Sequence, residues 1–403
     1  MAELVDAQDL GSCAARRVGS SPSARTKDLG WGLSVRFGKL GAASARPVIT
    51  LLVFATTWLA APAAYAQVQS PTTRDDLVGR LRIVSLDNQK LSDVARANDV
   101  STPNAAAANW GLSEFFTDTR DKVLMPRAHL LPHGLREGIL INRAEYRLYY
   151  FKNGAVQFTA PIGIGDVGLE TPLGTTKIVR KMQNPSWIPT AQARAAHPEL
   201  PAVWPPGPDN PMGLYAMYLG WPLYAIHGNE DAFGIGRQST RGCIRLFPED
   251  IEPLYGMVPI GTAVEVTDQP VKLGWHAGEL FIEAQPDEAQ RTELAIKGNF
   301  TLKPAPDLKD WITSAAGDRA RDVDWPTVDD ALTRLSGVPI QVTSVATHQV
   351  NIFEPNMLLS QNLSRFLRTQ RGFAAKVPAT PAERRPSYEQ IIKEHMLKFP
   401  YNI

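Results

Sequence analysis

Two residues in this chain have types and spacing that suggest chemistry. The stretch from Tyr224 to Leu246, YAIHGNEDAFGIGRQSTRGCIRL, places Cys243 sixteen residues after His227. A thiol attacks a carbonyl as the thiolate, so it needs a base within reach and a lowered pKa. The connection between them is rich in glycine, which gives the backbone freedom to fold back and bring the two side chains together. Gly242 would let a substrate carbonyl approach closely, and the amides of Gly242 and Cys243 are candidates for an oxyanion site. Pro248, opening a helix a few residues on, adds a modest positive dipole end. Spacing alone also leaves open a cysteine that is only a buried small hydrophobe, and a histidine satisfied as a core polar group. Zinc fits less well, because one Cys and one nearby His do not make a tetrahedral set. His129 and His133 lie four apart without a third ligand, and His197, His276, His348 and His395 are scattered.

The compartment bears on what a lone thiol can be for. RPVITLLVFATTWLAAPAAYAQ has a basic flank at Arg46, a short apolar run from Val48 to Ala60, and Ala64-Tyr65-Ala66 as a small-x-small site. This reads as a secretory signal peptide cleaved after Ala66. The run is too short to span a bilayer comfortably, so no stable membrane span is expected after cleavage. No cysteine directly follows it to carry a lipoprotein anchor. Residues 1–66 are therefore read as a spurious or extended leader plus signal peptide. The leader carries Cys13, the only other cysteine. Export leads to an oxidising compartment, where a single cysteine cannot form an intrachain disulfide. Cys243 is then a packed hydrophobe or a thiol kept for its reactivity. The net charge of +1 gives no sign of a nucleic-acid partner.

The chain is long enough for two or three domains. Residues 67–80 read as a linker. LRIVSL, KLSDVARANDV, TPNAAAANWGLSEFF and DKVLMPRAHLLP follow in the order strand, helix, helix, strand, with Ser92 and Thr102 as expected helix caps. Residues 136–268 read as short strands with turns, a β-sandwich-like or barrel-like domain with short helices. Asn153-Gly154 marks one hairpin and Gly220-Trp221 a second. Between them HPELPAVWPPGPDNPMG is too rich in proline for a helix or an inner strand. Beyond Asp268, residues 269–403 read as a mostly helical extension with one candidate strand, GELFIEAQ. The tail from Thr380 reads as an amphipathic helix.

IHGNEDAFGIGRQSTRGCIRL resembles the signature of L,D-transpeptidases of the YkuD type: a His-Gly pair, a gap of about fifteen residues, then Ser/Thr-x-Gly-Cys-x-Arg. REGILINRAEYRLYYF, APIGIG, TPLGTT, NPSWIPT and GPDNPMG resemble segments of the Gram-negative periplasmic branch in the same order. The likeness covers roughly residues 130–270. That branch carries an N-terminal LysM module, which residues 81–132 resemble in layout, although DNQKL stands where GDTL is usual. The resemblance implies that Cys243 is the nucleophile and His227 its base. Thr240, Gly242 and Arg245 match motif positions that shape the loop, and Arg245 is open to pairing a substrate carboxylate or holding the loop. Arg241 stands where many relatives have His, and is a candidate to stabilise the thiolate by charge. Trp187, Trp204 and Tyr215 are candidates to wall a stem-peptide groove, with ordinary packing as the other reading.

The implied substrate is a peptidoglycan tetrapeptide stem, cleaved with release of D-alanine through a thioester. The implied acceptor is an amine of another stem, giving a 3→3 crosslink, or an outer-membrane lipoprotein or β-barrel protein. Water as acceptor would make an L,D-carboxypeptidase, and a decayed site would leave a peptidoglycan-binding protein. No metal or organic cofactor is implied, and the expected location is the periplasm.

Overall fold

A computed structural model of the chain describes residues 75–355, apart from 110–111, 113–121, 208, 288, 292, 294–300, 302–306 and 345–348. The expected leader and signal peptide, and the amphipathic tail from Thr380, lie outside the described residues.

The first elements are β1 (Leu77–Val78), β2 (Arg82–Ser85), α1 (Leu91–Arg96), α2 (Thr102–Ala108), β3 (Lys122–Met125) and β4 (His129–Leu130). β2 and β3 pair antiparallel, and α1 and α2 bury Leu91, Val94 and Ala105 against Val123 and Met125. This is the expected strand–helix–helix–strand order, with three local differences. α1 starts behind Lys90, so Ser92 lies inside the helix and does not cap it. At α2 the cap is Ser101 rather than Thr102. Its backbone is extended, and its hydroxyl accepts from the Asn104 amide at 3.3 Å, whereas Thr102 is already helical. Leu77–Val78, within the stretch read as linker, pairs antiparallel with β4.

The central domain runs β5 (Gly138–Asn142), β6 (Arg147–Lys152), β7 (Ala155–Pro161), β8 (Ile164–Gly165), β9 (Gly174–Gln183), α3 (Ala191–Ala196), β10 (Tyr215–Leu219), β11 (Ala225–Gly228), β12 (Gln238–Thr240), β13 (Ile244–Leu246), α4 (Pro248–Met257) and β14 (Ala263–Thr267). Eight strands form one sheet in the order β13-β11-β10-β9-β14-β5-β6-β7. Its two edges nearly meet. Gly163, just past β7, exchanges both backbone hydrogen bonds with Arg245 of β13, each 2.9 Å. A Cβ at position 163 would stand 2.4 Å from the Gly234 carbonyl oxygen, so glycine is what lets the edges approach. The result is a near-closed, barrel-like sheet. Alternation along the strands turns Ile141, Leu148, Met217, Ile226 and Ile244 to one core, where they meet Ile251 and Leu254 of α4. Each such side chain contributes roughly 1.5–3 kcal/mol by burial. The β6–β7 hairpin turns on Asn153-Gly154, both at positive φ.

Beyond the barrel, the expectation of a mostly helical region is only partly met. β15 (Val271–His276), β16 (Glu279–Ala284) and β17 (Ile340–Gln341) make a three-stranded antiparallel sheet. It shares a core with helices α5 (Leu308–Ala316) and α6 (Trp325–Arg334). The β15–β16 hairpin turns on Ala277-Gly278, both at positive φ, and the alanine hides that turn from a sequence reading.

The N-terminal module also braces the site. The Arg96 guanidinium forks onto Glu249 of α4 at 2.6 and 2.7 Å. Gly236, at φ +84, lies so close to α2 that a Cβ would stand 2.4 Å from Ser101 Oγ. Among the described residues, no helix is long and apolar enough to cross a membrane.

Candidate active site

Register brings the motif residues together. β11 pairs antiparallel with β10 and parallel with β13, with His227 opposite both Ala216 and Arg245. Ile226 faces Ile244, so Cys243, one residue before β13, falls beside Ala225. Ile226 and Ile244 point into the barrel core, so Ala216, Ala225, His227, Cys243 and Arg245 lie on the other face. There the segment from Trp187 to Met212 covers them. Trp187, Leu200, Met212, Ala216, Ala225 and Cys243 form one apolar cluster, and Cys243 is only 7% exposed.

His227 is fully buried. Its Nδ1 lies 2.9 Å from the Gly228 carbonyl oxygen. A carbonyl can only accept, so Nδ1 carries the proton and Nε2 keeps its lone pair. Nε2 is buried and makes no hydrogen bond within the protein. Burial first, then the charge of Arg245, hold the imidazole down at about 4, against the pull of the Gly228 and Met212 carbonyls. At neutral pH the ring is therefore an uncharged base. Burial pushes the Cys243 thiol up, while the Ala225 amide and Arg245 oppose it. The thiol donates to the Leu223 carbonyl at 3.6 Å. The resting pair is thus neutral thiol and neutral imidazole on diagonal positions of adjacent strands. This suits a proton transfer that accompanies attack rather than a standing ion pair.

The loop before Cys243 is held by two threonines. Thr240 Oγ1 accepts from the Gly242 amide at 3.0 Å and donates to the Cys243 carbonyl at 2.7 Å. This corrects the expectation that both loop amides face an oxyanion, because the Gly242 amide is already bonded and only that of Cys243 remains of the pair. Thr171, which sequence reasoning missed, is fully buried; its Oγ1 accepts from the Gly165 amide and donates to the Gly242 carbonyl at 2.8 Å. Gly242 has φ +107, and a Cβ there would stand 2.4 Å from the Tyr224 ring, so glycine is required. Arg245 is 1% exposed, with Nη1 3.9 Å from Asp231 Oδ2, and this burial favours holding the loop over pairing a substrate carboxylate. Arg241 is half-buried. The charge of Arg245 works with the Ala225 amide against the rise of the thiol.

The aromatic candidates divide. Trp187 and Trp204 exchange backbone hydrogen bonds and pack their rings 6.2 Å apart over the cysteine. Tyr215 lies on the opposite face from Cys243. Its ring packs 5.0 Å from Tyr255, and its hydroxyl meets Glu252 at 3.0 Å, so it does not wall the site. Two other tyrosines lie nearer the thiol: Tyr218 packs in the Cys243 cluster, and the Tyr224 ring lies against Gly242. The available signal was parity. Tyr215 and Tyr218 are three apart on one strand and must face opposite sides.

Among the described residues, one group has metal-ligand types close together, and it lies outside this site. His129, Glu145 and Glu283 bring ligand atoms within 4.8 Å of one another. Lys272 already fills the centre, with Nζ 2.5 Å from Glu145, 3.0 Å from Glu283 and 2.7 Å from the Leu130 carbonyl. Three protons meet three acceptors, which makes this cluster a structural brace.

Fold and site define a class: a barrel-like domain that carries a thiol and a neutral imidazole on its covered outer face, suited to acyl transfer. Residues 136–266 match the family model described as YkuD, L,D-transpeptidase catalytic domain. The chain is 38% identical over 299 residues to "Probable L,D-transpeptidase YbiS" of Escherichia coli (strain K12), covering 72% of this chain and 96% of that protein. It is also 38% identical over 285 residues to "Probable L,D-transpeptidase ErfK/SrfK" of Salmonella typhimurium, covering 68% and 90%. The solved catalytic domain of the E. faecium L,D-transpeptidase aligns with 24% identity and a TM-score of 0.27, covering 34% of this chain and 99% of that one. The chain belongs to the YkuD family of L,D-transpeptidases.

Proposed function

We propose that this protein is a periplasmic L,D-transpeptidase that acts on peptidoglycan tetrapeptide stems through a thioester on Cys243. The observation that carries the reading is the fixed tautomer of His227, which leaves the Nε2 lone pair buried on the face that holds the thiol. Sγ attacks the carbonyl of the third stem residue, and its proton passes to His227 Nε2. The Cys243 amide is the remaining loop donor for the oxyanion. As the C–N bond breaks, the imidazolium returns the proton to the amine of the departing D-alanine. An acceptor amine then attacks the thioester, gives its proton to Nε2, and releases the thiol.

The acceptor is an amine of a second stem, giving a 3→3 crosslink, or an amine on an outer-membrane protein. Residues 136–268 carry the reaction, and residues 81–132 act as a LysM-like grip on the glycan. Residues 269–403 are an extension, and its described sheet and helices pack on the N-terminal module and meet the barrel at Lys272. The signal-like run ending at Ala66 supports export. The names of the similar proteins support the reaction class.

The test uses protein from Gln67 onward, wild type and Cys243→Ala, with purified disaccharide-tetrapeptide. Mass spectrometry follows protein and muropeptides together. A thioester adduct, D-alanine release and a 3→3 dimer, all lost in the variant, are expected. Adduct and release without the dimer point to a different acceptor. Folded wild type that forms no adduct and releases no D-alanine leaves a wall-binding protein instead.

A further inference from the structure

Two rows of side chains cross four strands on the outer face of the barrel. One runs Met182, Ala216, His227, Arg245. The other pairs Arg180 with Tyr218, and Tyr218 with Ala225, and ends at Cys243 beside Ala225. The thiol and Arg180 thus stand at opposite ends of one row. Arg180 is exposed, and its guanidinium lies over the Tyr218 ring, 3.8 Å from the centroid. Among the described residues it makes no ion pair. Its neighbour Lys181, on the other face, is fully engaged with the carbonyls of Tyr255 and Val258. Arg180 is therefore an available cation, stacked in place by an aromatic ring that itself packs in the cysteine's cluster.

Strands lie about 4.8 Å apart, which puts the Tyr218 backbone roughly 10 Å from that of Cys243. A carbonyl under attack sits about 3–3.5 Å from the sulfur. The carboxylate of the residue beyond it lies about one Cα step, roughly 3.8 Å, further on. A charged N–H···O hydrogen bond of about 2.8 Å completes the span to a guanidinium over Tyr218.

We propose that Arg180 binds the terminal carboxylate of the residue that leaves, and so selects donors that end one residue past the scissile carbonyl. This rests on the stem-peptide reading above. A donor longer by one residue carries its carboxylate beyond this reach, and one capped as an amide leaves the guanidinium without an anion. Arg180 is then the residue that separates a tetrapeptide from a pentapeptide, acting on donor binding rather than on proton transfer at His227.

The test compares disaccharide-tetrapeptide with its C-terminal amide, on wild type, Arg180→Gln and Arg180→Lys, reading the rate of adduct formation on Cys243 by mass spectrometry. Wild type on the free acid tests the stem reading by itself. The preference for acid over amide tests Arg180. Wild type should prefer the acid about tenfold or more, the worth of one charged hydrogen bond. Arg180→Gln should lose that preference, with the loss in KM and the saturating rate little changed, while Arg180→Lys keeps part of it. Equal wild-type rates on acid and amide overturn the proposal, and this arm needs no variant to fold. So does an Arg180→Gln enzyme that is slow on both donors yet keeps the acid preference. Wild type that acylates with neither donor removes both the stem reading and this proposal.

Discussion

The clearest consequence of the buried histidine is a shifted acid limit for the first chemical step. His227 is held at about 4 by burial and by the charge of Arg245. An unperturbed imidazole sits near 6.5. At pH 5.5 an ordinary histidine is about nine-tenths protonated and useless as a base, whereas His227 stays more than about nine-tenths neutral. In the proposed mechanism a neutral thiol gives its proton to a neutral ring, so adduct formation should follow the neutral fraction of His227. Lowering the pH from 7 to 5.5 should then cost this enzyme almost nothing, against about an eightfold loss for a ring at 6.5. The assay is the single-turnover rate of Cys243 acylation by a tetrapeptide donor, taken at half-unit steps from pH 4 to 8. Half-loss near 6.5 would refute the neutral buried base. Half-loss near 4–4.5, with the fold intact by circular dichroism, supports it. Asp231 lies near Arg245, so Asp231→Asn, which leaves that cation less neutralised, should not raise the limit.

The remaining predictions concern the thiol and its supports. Because burial holds the Cys243 thiol up, its alkylation by iodoacetamide should reach half its plateau above the ordinary cysteine range near 8.5, and a midpoint at 7 would contradict this. Gly242→Ala puts a Cβ 2.4 Å from the Tyr224 ring at a φ of +107, so it should cost roughly 1–3 kcal/mol in urea melts and most of the acylation rate. Lys272→Met strips the cation from two buried carboxylates and should destabilise by roughly 3–5 kcal/mol; adding Glu145→Gln should recover part of that. Asp250 is raised to about 7, chiefly by burial and then by Asp99 and Glu249. The folded state therefore holds its proton between about pH 4 and 7 while the unfolded chain has lost it, so stability from this group is full below 4 and lost as pH rises through 7. Asp250→Asn should be more stable than wild type by up to about 4 kcal/mol at pH 8 and near parity at pH 4, in urea titrations at both. A difference that does not change with pH would contradict that assignment.

What the sequence made legible was local. Asn153-Gly154 must turn, PEDIEPLYGMV must open a helix at Pro248, and LYAMYL and PLYAIHG must pair across a short loop; each follows from backbone preferences within a few residues. Cys243 and His227 stood out as candidates because cysteine and histidine have few chemical equivalents. What stayed hidden depends on register between distant strands. Tyr215 and Tyr218 lie three apart on one strand and so face opposite ways, but the sequence does not tell which of them meets Cys243. Thr171 reaches the Gly242 carbonyl only because the chain after β8 returns beneath the loop, and no spacing rule announces that. The meeting of Gly163 with Arg245 is of the same kind, a contact made only when the eight-stranded sheet curls far enough to bring its edges together.

That closure ties Arg245 to the chemistry in a way no single residue type suggests. Its backbone joins the two edges of the sheet, and its side chain, buried beside Asp231, lowers the basicity of His227 and opposes the rise of the thiol. One residue thus lowers both pKa values, which keeps the imidazole uncharged and eases loss of the thiol proton that burial holds in place. A lysine could supply the charge but not the forked reach from β13 to the loop at Asp231. Arg245→Lys should accordingly keep the His227 limit near its wild-type position while loosening the loop, seen as faster amide exchange at residues 229–236 and a lower acylation rate. If the acid limit instead moves up toward 6.5 with exchange unchanged, the charge and the brace are not the work of the same side chain.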